Sequence, residues 1–303
     1  MMDVNDALTQ ACAEVGIVVP SAPRAGTWVR TDTFSGRNGK GDGSVKIGAD
    51  VVFAKNFQTG ETTHVRVGDT SRPIDRRKVA ERIEHDRRQR QEREEKAARI
   101  AHLLVREARL GLHPYLARKG FPAERAPVLS AQEVEAIGGR YLVAGERAIV
   151  LPAHVGGRIY SAQIIWEDGT KKFLAGGRMD GASFRVSSGR ETWVCEGFAT
   201  GLSLRMALRS MNRQDGVVIA FSAYGVGVVA KSLPGRVWVA TDNDKPMPQF
   251  DGLGTGEHWA REAGKPYAMP PQMGSDINDL HQSDSIFAVQ RLLKETIRRG
   301  HAA

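Results

Sequence analysis

At 303 residues the chain has room for about two domains of the usual ~100–200 residues, and a hydrophobic fraction of 41% suits a globular protein with a sizeable core. No run of about 18 apolar residues occurs and no charged-then-apolar leader opens the chain, so the expectation is a soluble, cytoplasmic protein without a membrane span. Two distant cysteines, Cys12 and Cys195, rule out a disulfide framework or a zinc ribbon, and a net charge of +8 favours a polyanionic partner, most commonly nucleic acid.

In chain order, the spacing of Val4, Leu8, Ala11 and Val15 predicts a short helix that ends at Gly16. Over residues 26–68 short β-branched runs (Thr27–Arg30, Val51–Phe57, Thr62–Val67) alternate with Gly, Thr and Ser, the pattern of a small β-rich module. Its Gly-rich segment Ser35–Ser44 lacks the spacing of a triphosphate-cradling loop and precedes no strong helix, so it reads as a hairpin loop. Residues 75–110 carry no Gly or Pro and predict one long helix. The first half is almost wholly charged, with i,i+4 pairs such as Arg88–Glu92, and the second turns amphipathic through Ile100, Leu103, Leu104 and Ala108. Mixed charge signs favour a solvated connecting helix, docked at its far end, over a basic arm along nucleic acid.

From residue 112 strands and helices alternate. Strands are expected at Ala148–Pro152, Ile159–Trp166, Trp193–Cys195, Val217–Phe221, Val237–Thr241 and Pro266–Met269, and helices near Ala199–Met211, Val226–Leu233, Thr255–Ala263 and Ser283–Arg299. Strand–helix–strand alternation with short links implies a parallel sheet flanked by helices.

Functional side chains of such sheets gather at the carboxyl ends of the strands. One apolar strand here stops at Glu196-Gly197, and another runs straight into Asp242-Asn243-Asp244. Three acids brought together repel unless a cation lies between them, and Mg²⁺ takes one or two carboxylates plus phosphate oxygens. A metal site explains this placement better than turn-capping does. Gly197 suits a close backbone approach to phosphate or a positive φ. A further cluster, Ser275-Asp276-Ile277-Asn278-Asp279, either adds to the metal site or caps a helix turn.

The segments CEGFATGLSL (Cys195–Leu204), VWVATDNDK (Val237–Lys245) and GSDINDL (Gly274–Leu280) resemble the Toprim domain of plasmid- and phage-encoded primases. Relatives include the TraC-type conjugative primases and, more distantly, the DnaG catalytic core. HPYLARKGF (His113–Phe121) resembles the YLxxRG segment of primases. IVLPAHVGGRIYSAQII (Ile149–Ile165) and DGTKKFLAGG (Asp168–Gly177) resemble the subdomain that precedes Toprim in that family. The resemblance covers roughly residues 110–282.

What the resemblance implies is a set of expectations. The fold class is α/β: a Toprim-type parallel sheet flanked by helices, preceded by a mixed α+β basic subdomain and a small β-rich N-terminal module. The expected divisions are residues 1–70, a connecting helix 71–111, the basic subdomain 112–190, the Toprim domain 191–282 and a C-terminal helix 283–303. The implied activity is DNA primase: short primers made from NTPs on single-stranded DNA with Mg²⁺ or Mn²⁺ and no zinc. Glu196 takes the role of general base or metal ligand, Asp242 and Asp244 are metal ligands, and Asp276 or Asp279 holds a further ion. Lys171 and Lys172, with Arg178, take the place of basic residues near the incoming nucleotide or primer. Tyr115 and Leu116 are expected to pack, leaving Arg118 or Lys119 to meet a phosphate.

The family's zinc ribbon is missing, and residues 26–68 stand in its place, resembling the non-zinc domain of some plasmid and prophage proteins. Trp28, Phe53 and Phe57 among Arg30, Arg37, Lys40, Lys46 and Lys55 form either a stacking-and-charge surface or a small core with a basic rim. No helicase motif is present, so an unwinding partner must be separate. Two alternatives stand beside the primase of a plasmid, phage or conjugation system: a Toprim nuclease, and a non-catalytic single-stranded-DNA-binding transfer protein.

Overall fold

Apolar residues recur at helical spacing over residues 4–15 and alternate with polar ones in the short runs of residues 26–68. In the computed structural model, which describes residues 2–35, 39–68 and 76–302, the chain forms two compact units. One comprises the described residues through Ala80 together with Pro246–Thr255, and the other Glu81–Lys245 with Gly256 onward. Residues 36–38 of the Gly-rich loop, Arg37 among them, and the expected boundary at residues 70 and 71 lie outside the described residues.

In the first unit, helix α1 (Val4–Glu14) starts at Asp3, whose side chain accepts from Asp6 N, and stops before Gly16, held at φ +69°. Four antiparallel strands follow in simple up-and-down order: β1 (Trp28–Thr31), β2 (Gly43–Ile47), β3 (Val51–Asn56) and β4 (Thr62–Arg66). Strand β2 was not anticipated, because its Gly-Ser start looked like loop. One face of the sheet (Val45, Ile47, Val52, Ala54, Val65) packs on Ala7, Leu8, Ala11 and Cys12 of α1. Buried Asn56 ties the two layers, donating from Nδ2 to Val15 O at 2.8 Å.

Helix α2 (Arg76–Glu107) is charged and exposed over residues 84–93; Arg88 pairs back to Glu84 at 3.1 Å rather than forward to Glu92. Its last turns bury Ala97, Ala101 and Leu104 against Val150, Ile164 and Trp166. Those residues belong to a five-stranded sheet of β5 (Arg109–Gly111), β6 (Ala126–Ser130), β7 (Arg147–Val155), β8 (Arg158–Trp166) and β9 (Lys171–Phe173), with helices α3 (Pro114–Arg118) and α4 (Ala131–Gly138) between its early strands. All pairings in it are antiparallel, so the parallel expectation holds only further along the chain.

The third sheet has the order β10-β12-β11-β13-β14, from β10 (Phe184–Ser187), β11 (Thr192–Cys195), β12 (Gly216–Ile219), β13 (Val237–Ala240) and β14 (Tyr267–Ala268). The four later strands run parallel, and β10 adds an antiparallel edge that the sequence did not announce. Helix α5 (Phe198–Ser210) links β11 to β12, and α6 (Ala223–Ser232) returns past β11 to β13. Helices α7 (Thr255–Glu262), α8 (Ile277–Asp284) and α9 (Ile286–Ala302) complete the unit, the expected closing helix being broken at Ser285 (φ +77°). Strand alternation divides the core: Trp193, Cys195, Val217, Ile219 and Trp238 face α5, α8 and α9, while Val194, Val218 and Val239 face α6 and α7. The chain passes from β11 to β12 on one side and then to β13 on the other, and at such a switch point the carboxyl ends of the strands are where α/β sheets carry their ligands.

Candidate active site

Glu196 is the first residue past β11, and Gly197 is the N-cap of α5 with φ −111°. Any residue adopts that backbone, so positive φ is not why glycine stands there. A Cβ at Gly197 would meet Thr200 Oγ1 at 3.7 Å and Lys171 Nζ at 3.9 Å, ordinary contacts, so neither φ nor close packing requires glycine there. Glu196 is half-buried, and its carboxyl is pushed up to about 7, first by burial and then by Asp244 and Asp276, with Lys171 opposing.

Asp242 follows β13 after one residue. Its Oδ1 is buried without a hydrogen-bond partner, and burial, then Glu196, Asp276 and Asp244, hold its carboxyl well above the usual carboxylate range. Asp244 is fixed differently: Oδ2 accepts from Gly256 N at 2.8 Å in the first turn of α7. A Cβ on Gly256 would come within 2.4 Å of Thr241 Oγ1 and 2.6 Å of the Asp242 carbonyl oxygen, so this glycine is required for the close approach.

Asp276 arrives from another part of the chain and does two things. Its Oδ1 caps α8 by accepting from Asn278 N (2.6 Å) and Asp279 N (2.9 Å), and its charge acts on Glu196 and Asp242. Asp279 closes the reciprocal capping bond to Asp276 N at 3.1 Å and lies 3.7 Å from Lys119 Nζ. Asp276 therefore caps the helix turn and also bears on the other acids, whereas Asp279 is turned to the cap and to Lys119. Among the described residues no three His, Cys, Asp or Glu side chains are spaced to hold an ion by themselves.

The basic candidates separate. Lys171, on β9, is close enough to act on both Glu196 and Asp242. Lys172 points to the other side of the strand, where Nζ donates to the Tyr141 and Val143 carbonyls at 2.8 and 2.9 Å; the structure gives it a packing duty in place of the nucleotide contact expected of it. Arg178 lies 5.5 Å from the ring centroid of Tyr160, with Arg158 5.0 Å from the same ring. Arg118 acts on Asp168, and its carbonyl accepts from Gln282 Nε2 at 2.6 Å. The Lys119 carbonyl accepts from Asn278 Nδ2, so the His113–Phe121 segment is stitched to α8 through its backbone. Tyr115 and Leu116 are buried.

Two positioning residues were not singled out from sequence. Asn243 Nδ2 donates to Pro270 O at 2.8 Å, and its backbone exchanges bonds with Ser275 and Gly274, which clamps the Asp242–Asp244 turn to the loop carrying Asp276. Phe221, past β12, sits at φ +65°, a conformation that costs a bulky residue about 1 kcal/mol or more. Its N–H donates to the Glu196 carbonyl at 3.1 Å, and its ring meets Phe173 of β9 edge-on.

Residues 191–286 match the Toprim domain family, and this part of the chain is a Toprim domain. Domains of this class bind divalent metal, in keeping with carboxylates gathered at the sheet's carboxyl edge. Over 200 residues the chain is 28% identical to DNA primase TraC of Escherichia coli, covering 62% of this chain but 17% of that protein. Among solved structures it is similar to the primase fragment of the bacteriophage T7 primase-helicase, with a TM-score of 0.37, 18% identity, and coverage of 50% and 64% of the two chains. It is also similar to a chain of a T7 lagging-strand DNA polymerase complex with primase domains bound to an RNA/DNA hybrid and dTTP (TM-score 0.35, 17% identity, 50% and 76% coverage).

Proposed function

We propose that the chain is a DNA primase that joins NTPs into short primers on single-stranded DNA by divalent-metal-dependent nucleotidyl transfer. The observation that carries this reading is the buried, unpartnered Oδ1 of Asp242 among Glu196, Asp244 and Asp276 at one sheet edge. An acceptor oxygen taken out of water costs about 1–3 kcal/mol unless something bonds to it, and mutual repulsion adds to that cost. A cation removes both penalties, so the residues fit Mg²⁺ or Mn²⁺. Asp242 and Asp244 would hold it, with Asp276 beside them, and it would supply charge neutralisation at a triphosphate and activation of a 3′ hydroxyl. Glu196, with its proton affinity near neutrality, is the base that takes the hydroxyl proton. Lys171 places a cation against the phosphates from the other side. Asn243 and Gly256 hold the two aspartates in position.

The similarity to DNA primase TraC supports primer synthesis over strand cleavage; a plasmid, phage or conjugation setting and a separate helicase belong to the same proposal. The five divisions expected from sequence, with the Toprim domain preceded by a basic subdomain, fit this reading. Among the described residues no helix is long and apolar enough to cross a membrane. The test is primer synthesis on single-stranded DNA with labelled NTPs and Mg²⁺ or Mn²⁺, beside the Asp242→Asn, Asp244→Asn double variant. Metal-dependent short products from the wild type alone are expected. Absence of products on varied templates, with strand cleavage in their place, would replace the primase reading with the nuclease one.

A further inference from the structure

In the first unit, α1 covers one face of the four-stranded sheet, and among the described residues several rings and cations of the other face are exposed. Outward side chains along β1 to β4 include Trp28 and Arg30, then Lys46, then Phe53 and Lys55, then His64 and Arg66. The register sets Trp28 opposite Lys46, Lys46 opposite Phe53, and Phe53 opposite His64, so one row across the sheet reads indole, lysine, phenyl, imidazole. Just past β3, Phe57 lies under the Arg30 guanidinium at 4.1 Å and Lys55 Nζ at 5.0 Å from its ring centre, and Arg30 also donates to the Gly41 carbonyl. These rings are in water: Trp28 is 54% exposed, Phe53 38% and Phe57 39%. They do not belong to the core, which lies on the opposite face.

Charge selects the occupant. No outward position of the four strands carries an acid, and Asp32, Asp42, Asp50 and Glu61 are confined to the strand ends. Rings standing free among cations on an open sheet match what a single strand offers, unpaired bases with π faces and a chain of phosphates. A duplex hides the faces of its bases, and an acidic protein has no use for the stacking rings.

We propose that this sheet face binds single-stranded DNA, with bases stacked on Trp28 and Phe53 and phosphates against Arg30, Lys46 and Lys55. The choice of DNA over RNA rests on the primase reading above; the surface itself is separate from the Toprim carboxylates.

The test uses the full chain and a fluorescein-labelled oligothymidylate, read by fluorescence anisotropy without metal or NTP. Trp28→Ala and Phe53→Ala are each expected to weaken binding about tenfold or more, since stacking is worth about 1–3 kcal/mol per base. Trp28→Phe retains binding. Lys46→Ala with Lys55→Ala lowers the slope of log K against log salt by about 1.4, at about 0.7 per phosphate contact. Priming is lost in Asp242→Asn, Asp244→Asn and is read in the primer assay, whereas the ring variants are read here without metal or NTP, so the two failures are separate results. Unchanged melting temperature and far-UV circular dichroism show that the exposed positions have not disturbed the fold. The proposal is overturned if the two aromatic variants bind as wild type, if a duplex of equal length binds with the same sensitivity to them, or if polyglutamate displaces the oligonucleotide at equal charge. Tighter binding of the corresponding ribo-oligonucleotide overturns the choice of DNA.

Discussion

The upward-shifted carboxyl of Glu196 makes the metal-free protein less stable as pH rises, and Glu196→Gln isolates that cost. A carboxyl whose folded pKa lies above its unfolded value contributes stability that is fully present below the unfolded pKa and is lost as pH rises through the folded one. Here the window runs from 4.5 to about 7. At about 1.4 kcal/mol per unit, ionised Glu196 costs the fold about 3 kcal/mol above that window. Glutamine matches the protonated acid in shape and never ionises. In EDTA at pH 8 the variant should therefore melt about 6 °C above wild type, at about 2 °C per kcal/mol, and at pH 4.5 the two should coincide. Scanning calorimetry across this range measures the difference directly. Added Mg²⁺ should still raise the melting temperature of Glu196→Gln, because the oxygens of Asp242 and Asp244 proposed to hold the ion remain. A variant no more stable than wild type at pH 8, or equally more stable at both pH values, would refute the argument that desolvation and like charge set this group's proton affinity.

His113 carries the opposite sign. Its Nδ1 caps α3 by accepting from Tyr115 N, its Nε2 donates to the Arg147 carbonyl, and burial holds the imidazole below its usual 6.5. The stability it contributes is present above 6.5 and lost as pH falls through the lowered value. His113→Asn, which keeps the cap and does not titrate, should lose less stability than wild type between pH 7.5 and 5 in urea titrations. Asn243→Ala releases the clamp between the two acidic loops: the Mg²⁺ concentration for a half-maximal melting shift should rise about tenfold, while the metal-free melting temperature barely moves.

The site's main carboxylates were legible because a strand end is a local signal. Trp193–Cys195 and Val237–Ala240 are apolar runs broken at once by acid, and parallel pairing sets both breaks at one edge. What pairing over long distances decides was not legible. Asn243 reaches Pro270 across 27 residues, and nothing in its neighbourhood hints at the partner. Lys171 and Lys172 could have been separated, since adjacent strand residues face opposite ways and only one can reach the carboxylates. Phe221 gives no cue, as a left-handed position ordinarily selects Gly or Asn. In the first unit the alternation of rings and cations was readable, but not which face α1 covers; that depends on the fold of the sheet and on where the helix returns.

The two ends of the Toprim sheet handle charge in opposite ways, and the contrast bears on which end does chemistry. At the amino end, Glu191 and Asp215 precede β11 and β12. Arg213 bridges them at 2.7 and 2.8 Å, and the indoles of Trp238 and Trp193 donate to them at 2.7 and 3.2 Å while stacking on each other. Every acceptor used there has a donor, which is what a structural ion network requires if partial burial is not to destabilise the fold. Five residues along the same strand, Glu196 faces Asp242, Asp244 and Asp276 with Lys171 as the cation acting on the pair Glu196 and Asp242. A chain that gives each carboxylate two donors at one edge leaves Asp242 Oδ1 bare at the other. That local deficit, next to the backbone strain at Phe221, marks the carboxyl edge as the place where stability is given up, as the proposed cation site requires.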